Sequence, residues 1–402
     1  MRIGRTLPPA AAPLHWSDLG HALAGLACPA RALEGLEEQV TRHFGVAHAF
    51  LVSSGTAALT LSLAALRALS PRRDVVIPAY TCYSVPAAVL AAGLRPVPCD
   101  IDPWTFDFDH RQLEQAVGAE TLCVVAHHLF GVPSDVERTR ALCQRRGAFV
   151  LEDAAQAMGA EGGGRALGTT GDAGIFSLGR GKNITCGSGG VIVTSRADVA
   201  EAIAGRHAAL PATGAAGSVR ELALLAVMAL FIRPVFYWLP AALPFLRLGE
   251  TVFPPHIALH RLSGMKAGLL RDWRRRLVHG NRLRRRTAAE LSRRLGLTPP
   301  AGPAHPYLRL PVLLASPAER ERVFARGKRR GLGLARGYPA AVADLPELGT
   351  GSADRFPVAR RVARTLVTIP THHWLSERDK QAIADCFASA ALAGPLQARL
   401  AS

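Results

Sequence analysis

The sequence predicts an α/β protein: a mostly parallel central sheet flanked by helices, followed by a smaller C-terminal α+β domain. Three observations carry this. Residues 35–200 alternate short β-rich runs with amphipathic helical stretches, the pattern of a sheet covered on both faces. At 402 residues and 49% hydrophobic content the chain has room for one large core and a second, smaller one. Around Glu221 the character changes, first to a strongly apolar segment and then to arginine-rich helical sequence. The division expected is an N-terminal segment at 1–34, a large domain at 35–255 that includes an apolar insertion at 221–248, and a small domain at 256–402.

Within the large domain, strands are predicted at 49–53, 74–77, 121–126, 148–152, 174–178 and 191–194, where β-branched and other apolar residues cluster. Helices are predicted between them at 33–44, 56–69, 84–92, 109–117 and 135–146, from apolar spacing of three and four. Beyond the apolar segment come a long helix at 269–295, an extended run at 306–314, a charged helix at 317–331 and a closing helix at 376–391.

Composition narrows the class without choosing a function. A net charge of +17 suits nucleic acid, an anionic membrane surface or phosphorylated substrates. Only four lysines are present, so the other 44 basic residues are arginine, and codon composition accounts for part of the charge. Seven cysteines form no C-x-x-C pair, and several sit in apolar strand-like runs, which fits a reducing compartment. The first twenty residues hold no continuous apolar stretch of the signal-peptide kind, so a cytoplasmic location is expected.

Four lysines make the search for covalent chemistry short. Lys328 and Lys380 lie in charge runs that read as solvated, and Lys266 lies on a predicted helix. Lys182 differs, because FSLGRGKNITCGSGG places it in a glycine-rich link between two apolar strands. Glycine permits tight backbone paths and close approach to a bound group. Partial desolvation there favours the neutral amine that Schiff-base formation needs. SSGTAAL, residues 53–59, puts a strand end against a helix start, where free N–H groups and the helix dipole bind phosphate; an ordinary cap is the commoner use of such a serine. Asp153 follows the apolar run AFVLE, at a carboxyl strand end where open α/β sheets place ligands; capping the next turn is the other reading.

Taken together, GTTGDAGIFSLGRGKNITCGSGGVIVT, VLEDAAQAMGA, SSGTAAL, VVAHHLFG and VIPAYTCYSVPAAVLAAG resemble the pyridoxal 5′-phosphate (PLP) dependent nucleotide-sugar aminotransferases of the DegT/StrS type. The likeness is close over residues 35–200 and looser beyond. It implies fold type I, PLP as cofactor and a homodimer. It also implies transfer of an amino group, from glutamate, to a keto group of a nucleotide-linked sugar. By the same resemblance Lys182 carries the cofactor as a Schiff base and shuttles the proton, and Asp153 pairs with the pyridine nitrogen. Gln156 lies near the phenolic oxygen, and Gly55, Thr56 and Ser177 hold the phosphate. Related sugar dehydratases replace the lysine with histidine, so Lys182 favours transamination. Neither a nucleic acid nor a metal is expected as a partner.

Three positions depart from the family pattern. Cys82 stands where an aromatic residue usually stacks on the pyridine ring, leaving ring stacking to Cys82 or to Tyr83 beside it. The family's G-E-G-G is Gly187-Ser188-Gly189-Gly190, and an asparagine expected two residues before Arg261 is Leu259. Other readings are a same-fold enzyme acting on a lipid-linked or cyclitol ketone, and a non-catalytic regulator or scaffold.

The apolar segment at 222–246 lies outside the family pattern. Its uncharged run at 222–232 spans eleven residues before Arg233-Pro234 stops it, well short of the ~20 that a membrane-spanning helix needs. A buried helical pair or dimer contact, an interfacial segment lying in a membrane surface, and an apolar wall for a lipid-linked substrate all remain open. Tyr237 and Trp238, with Arg233 and Arg247 nearby, have the amphipathic character seen at membrane interfaces, so peripheral contact with the inner membrane surface is one expectation.

Overall fold

The computed structural model describes residues 2–12, 14–246, 249, 251–349 and 355–393. Two helices lead, α1 (Trp16–Ala27) and α2 (Pro29–Phe44). An alternating series follows: β1 (His48–Val52), α3 (Gly55–Leu69), β2 (Asp74–Pro78), α4 (Ser84–Ala91), β3 (Arg95–Cys99), α5 (His110–Ala116), β4 (Thr121–His127), α6 (Val136–Arg146) and β5 (Phe149–Asp153). A short hairpin of β6 (Glu161–Gly162) and β7 (Arg165–Ala166) precedes β8 (Ala173–Ser177), β9 (Gly190–Thr194) and α7 (Ala197–Ala208). The apolar segment forms α8 (Ala215–Phe231) and α9 (Pro234–Ala242). The chain continues through α10 (Gly264–Leu269), α11 (Trp273–Leu295), β10 (Arg309–Leu313), α12 (Pro317–Arg330), α13 (Pro357–Thr365), β11 (Leu366–Pro370) and α14 (Glu377–Phe387).

The central sheet has seven strands in the order β1-β9-β8-β5-β4-β2-β3. Strands β3, β2, β4, β5 and β8 run parallel, and β9 is antiparallel to both β8 and β1. β1 therefore points the same way as β8, and the carboxyl ends of β1, β8, β5, β4 and β2 share one edge. Side chains alternate between the faces. Val75 and Ile77 join α3, α4 and α7 on one face, whereas Val76 and Val124 join α5 and α6 on the other. The predicted strands and helices of this region lie within a few residues of the observed ones. β3 was not predicted: Pro96 and Pro98 break a strand pattern, and are tolerated because β3 is an edge strand. Nor was α1, whose Gly25 lets α10 approach so closely that a Cβ there would meet the Gly264 carbonyl oxygen at 2.3 Å.

A second core is built on the antiparallel pair β10–β11 with α12, α13 and α14, and Tyr80, Phe106 and Phe130 from the sheet region join it. Helix α11 belongs to both cores: Trp273 and Leu277 pack with α1, α2 and α10, whereas Ala288 and Leu291 pack in the small domain. One reading needs correction here. Lys380 does not lie in a solvated charge run; it is 7% exposed, with its ammonium between Glu290 and Glu377. The burial follows from α14 packing against α11, which sets Lys380 against Glu290. Arg247, expected to flank the aromatic pair of the apolar segment, lies outside the described residues.

Candidate active site

The carboxyl edge of the sheet gathers the predicted site residues from four strands. Asp153 ends β5, in register with His127 of β4 and Ile175 of β8, and Ser177 ends β8 opposite Gly190. Val52 of β1 also pairs with Gly190, bringing the Ser54–Thr56 turn beside Ser177. Backbones approach closely there: a Cβ on Gly190 would lie 2.2 Å from the Ser54 carbonyl oxygen, and one on Gly55 would lie 2.9 Å from Ser177 Oγ. Both positions require glycine for that reason. Ser54 caps α3, its Oγ accepting from Ala57 N–H and its carbonyl from Ala58 N–H. The N–H groups of Gly55 and Thr56 are left over at the positive end of the helix, next to the Ser177 hydroxyl. The capping reading of SSGTAAL and the anion-binding reading are thus compatible, because the cap uses only some of the donors.

Asp153 is half-buried, and its Oδ1 accepts from Ala155 N–H at 3.0 Å. Among the described residues no donor engages its Oδ2. Gln156, one turn on, is held at both ends of its amide: Oε1 accepts from Phe130 N–H at 3.1 Å, and Nε2 donates to Tyr338 Oη at 2.8 Å. Lys182 lies in the turn after β8, its backbone N–H on the Gly179 carbonyl and its own carbonyl accepting from Arg284. Lys266 and Lys380 are tied up in ion pairs with Glu221 and with Glu290 and Glu377; no carboxylate among the described residues pairs with the Lys182 amine. Arg284 is 2% exposed, and its guanidinium donates to the carbonyls of Ala11, Asn183 and Lys182, which fixes the lysine turn to α11.

Behind these groups lies a buried polar layer that supports them. Glu152, 1% exposed, accepts from His128 Nε2 at 2.9 Å and from the N–H groups of Gly168, Thr170 and Gly171. Burial alone would push its carboxyl up, but the bonds from His128 and the glycines outweigh it and hold the group below its ordinary value. His127 bridges Thr81 Oγ1 at 3.1 Å and the Phe106 carbonyl at 2.8 Å, and burial lowers its proton affinity, so its neutral ring braces the segment leading to Cys82.

The two residues considered for ring stacking sit differently. Tyr83 is 4% exposed, and its hydroxyl accepts from the Ala340 N–H at 2.9 Å. Cys82 is half-buried at the rim, its sulfur accepting from Ser84 Oγ. Tyr80 Oη likewise accepts from the Tyr338 N–H, so the two tyrosines clamp the 338–340 segment of the small domain. That clamp delivers Tyr338, which sequence reading missed, onto Gln156. Burial, reinforced by Cys82, Tyr80 and Asp153 nearby, pushes the Tyr338 phenol well above its ordinary value, so it stays protonated. The only local signal was Gly337-Tyr338-Pro339, a turn; Gly337 has φ +71, and a Cβ there would fall 2.5 Å from Tyr80 Oη. The altered Ser188 also finds a place: its hydroxyl accepts from Lys266 Nζ at 3.1 Å, and Glu221 of α8 supplies that lysine's carboxylate. Leu259 packs against the large-domain core.

Known proteins resemble the chain over part of its sequence and most of its fold. The model of the DegT/DnrJ/EryC1/StrS aminotransferase family matches residues 28–220. A UDP-N-acetyl-3-dehydro-alpha-D-glucosamine 3-aminotransferase of Acidithiobacillus ferrooxidans is 37% identical over 171 residues, 42% of this chain and 46% of that protein. An L-glutamine:2-deoxy-scyllo-inosose aminotransferase of Streptoalloteichus tenebrarius is 36% identical over 176 residues, 43% of this chain and 41% of that one. The chain thus spans less than half the length of these curated relatives. The crystal structure of S. venezuelae DesV, in complex with a ketimine intermediate, is 25% identical with a TM-score of 0.69, covering 91% of this chain and 93% of that one. Over residues 28–220 the chain is therefore similar to the DegT/DnrJ/EryC1/StrS aminotransferase family, and along most of its length it shares the fold of the DesV structure.

Proposed function

We propose that the protein is a PLP-dependent aminotransferase that moves an amino group from glutamate to a keto group of a nucleotide-linked sugar. The observation that carries this reading is Lys182, a lysine without a carboxylate partner among the described residues, in the turn that follows Ser177 at the sheet edge shared with Asp153. The residues fit PLP on their own chemistry. The Gly55–Ser177 approach leaves a cradle that a Cβ would fill, with the N–H groups of Gly55 and Thr56 and the Ser177 hydroxyl as donors for a phosphate. Asp153 offers a free carboxylate oxygen to a protonated ring nitrogen. When bound, PLP supplies an electron sink for the charge left on a donor's Cα after deprotonation.

The chain's own groups then have separate tasks. Lys182 Nζ would hold the cofactor, and the same amine would take the proton from the donor Cα and deliver it to the cofactor's C4′. Asp153 keeps the ring nitrogen protonated. Gln156, locked between Phe130 and Tyr338, presents a fixed amide near the ring's phenolic oxygen. Cys82 lies at the rim where the family's aromatic residue would stack, and Tyr83 acts behind it as a clamp. We assign the large domain to 35–255, the small one to 256–402, a homodimer as the working form and the cytoplasm as its location.

A cyclitol ketone is the second reading, favoured by the 36% identity to the scyllo-inosose enzyme, which is named for glutamine as donor. Purified protein loaded with PLP, given glutamate or glutamine and a panel of keto-sugar nucleotides and keto-cyclitols, tests both. Release of 2-oxoglutarate from glutamate with a sugar nucleotide is expected. Turnover confined to the cyclitol moves the assignment there, and no turnover or donor-dependent spectral change with any pair favours a non-catalytic role.

A further inference from the structure

Helices α8 and α9 meet at 111° across the break at 232–233. The inward side of α8 carries Ser218, Leu225 and Ala229, and anchors through Glu221 on Lys266 and Ser263. Its outward side is apolar as well, with Val219, Leu224 and Val227 each more than half exposed. A surface helix ordinarily turns polar residues to water, so a helix apolar on both sides is one whose outer side has a cover. The apolar outer side continues along α9 through Val235 and Phe236, and past it to Phe245, 75% exposed. Tyr237 and Trp238, expected at this surface, are half-buried instead; Tyr237 turns toward Arg309, and Phe236 takes the outward place.

The charges say what covers it. Between residues 209 and 246 the sole acid is Glu221, and it is turned inward to Lys266. Arg220 and Arg233 are exposed, one near the start of each arm, and no carboxylate among the described residues pairs with either. An isologous contact with a second copy would set this acid-free cationic patch against itself, leaving the arginines without counter-charge. Anionic lipid headgroups supply the counter-charge, and the acyl boundary takes the apolar side chains. The arms do not cross a bilayer: 17 and 9 residues are ~25 and ~13 Å long at ~1.5 Å per residue, against a ~30 Å hydrocarbon core. No single helix among the described residues is long and apolar enough to cross alone.

We propose that the outer face of the α8–α9 arm docks the protein, reversibly and without spanning, on an anionic lipid bilayer surface. The test is flotation of the whole protein with vesicles of phosphatidylcholine alone and of phosphatidylcholine mixed with phosphatidylglycerol, at low and moderate salt. Parent protein is expected to float with the mixed vesicles, more weakly as salt rises. The double variant Leu224→Glu/Val227→Glu, on exposed positions that leave the fold intact by circular dichroism, is expected to stay behind. Arg220→Gln/Arg233→Gln is expected to lose about 25-fold in binding to the mixed vesicles, at roughly fivefold for each of the two cations removed. Parent protein that stays soluble with both vesicle types overturns the proposal. So does a Leu224→Glu/Val227→Glu variant that still floats but sediments as a smaller species, which would make a second copy the occupant.

Discussion

At the carboxyl edge of the sheet, the supporting polar groups lie inside and are held by named partners: Glu152 by His128 and three N–H groups, Gln156 by Phe130 and Tyr338, the Lys182 turn by Arg284. On the α8–α9 arm the arrangement is reversed, with leucine, valine and phenylalanine outside and the one acid inside. Packing explains these supporting groups, since a buried polar group without partners costs several kcal/mol in free energy. It leaves the second without a cause. The lesson is that the strand-end site is organised by the fold itself, whereas the arm is organised toward something outside it.

Substitutions can break that contrast or sharpen it. The largest effect expected is at Lys182→Ala, which removes turnover and abolishes the borohydride-fixed cofactor label on the peptide that contains residue 182. Leu224→Glu/Val227→Glu should keep its turnover with a soluble substrate; equal loss in both variants would break the separation of site from arm. Asp153→Asn comes next, slowing the donor half-reaction by about a hundredfold or more, or ~2.7 kcal/mol of barrier at ~1.4 kcal/mol per tenfold. A loss below tenfold in single-turnover absorbance would reduce Asp153 to a turn cap.

Stability effects rank below these. Glu152→Gln sets an amide against donors that need an acceptor, and breaking such a buried pair is expected to lower unfolding free energy by about 3–5 kcal/mol. Urea unfolding at neutral pH measures it, and a change under about 1 kcal/mol would mean the His128–Glu152 layer bears little of the site's rigidity. The smallest effect is at His372, 3% exposed with its Nε2 on the Pro8 carbonyl. Burial, aided by His373 and the nearby Arg284 and Arg309, lowers its imidazole from 6.5 to about 3. The unfolded chain binds that proton first, so stability is full above 6.5 and declines as pH falls from there toward 3, by up to ~1.4 kcal/mol per unit. His372→Gln should flatten the slope of the urea midpoint between pH 7 and 5; an unchanged slope assigns the acid sensitivity to other groups.

Much of the large domain was legible because its signals are local. A glycine-framed lysine, a serine before an alanine-rich helix and an acid after an apolar strand each announce themselves within a few residues. Their meeting depends on strand order, which periodicity does not encode; Gly190 touching both Ser54 and Ser177 emerges only once β9 lies between β1 and β8. Tyr338 was out of reach because the groups that place it, Tyr80 and Tyr83, are some 250 residues away in sequence. Lys380 was misread for a related reason, its counter-charge Glu290 standing 90 residues away on another helix.

Helix α11 gives the molecule a mechanical property. Its first turns are sunk in one core and its last in the other, and Arg284 lies between them with a grip on the lysine turn and the N-terminal segment at Ala11. A hydrogen-bonded helix of 23 residues resists bending, so it works as a lever. Arg284 therefore couples the backbone of the Lys182 turn to the packing at both ends of the helix.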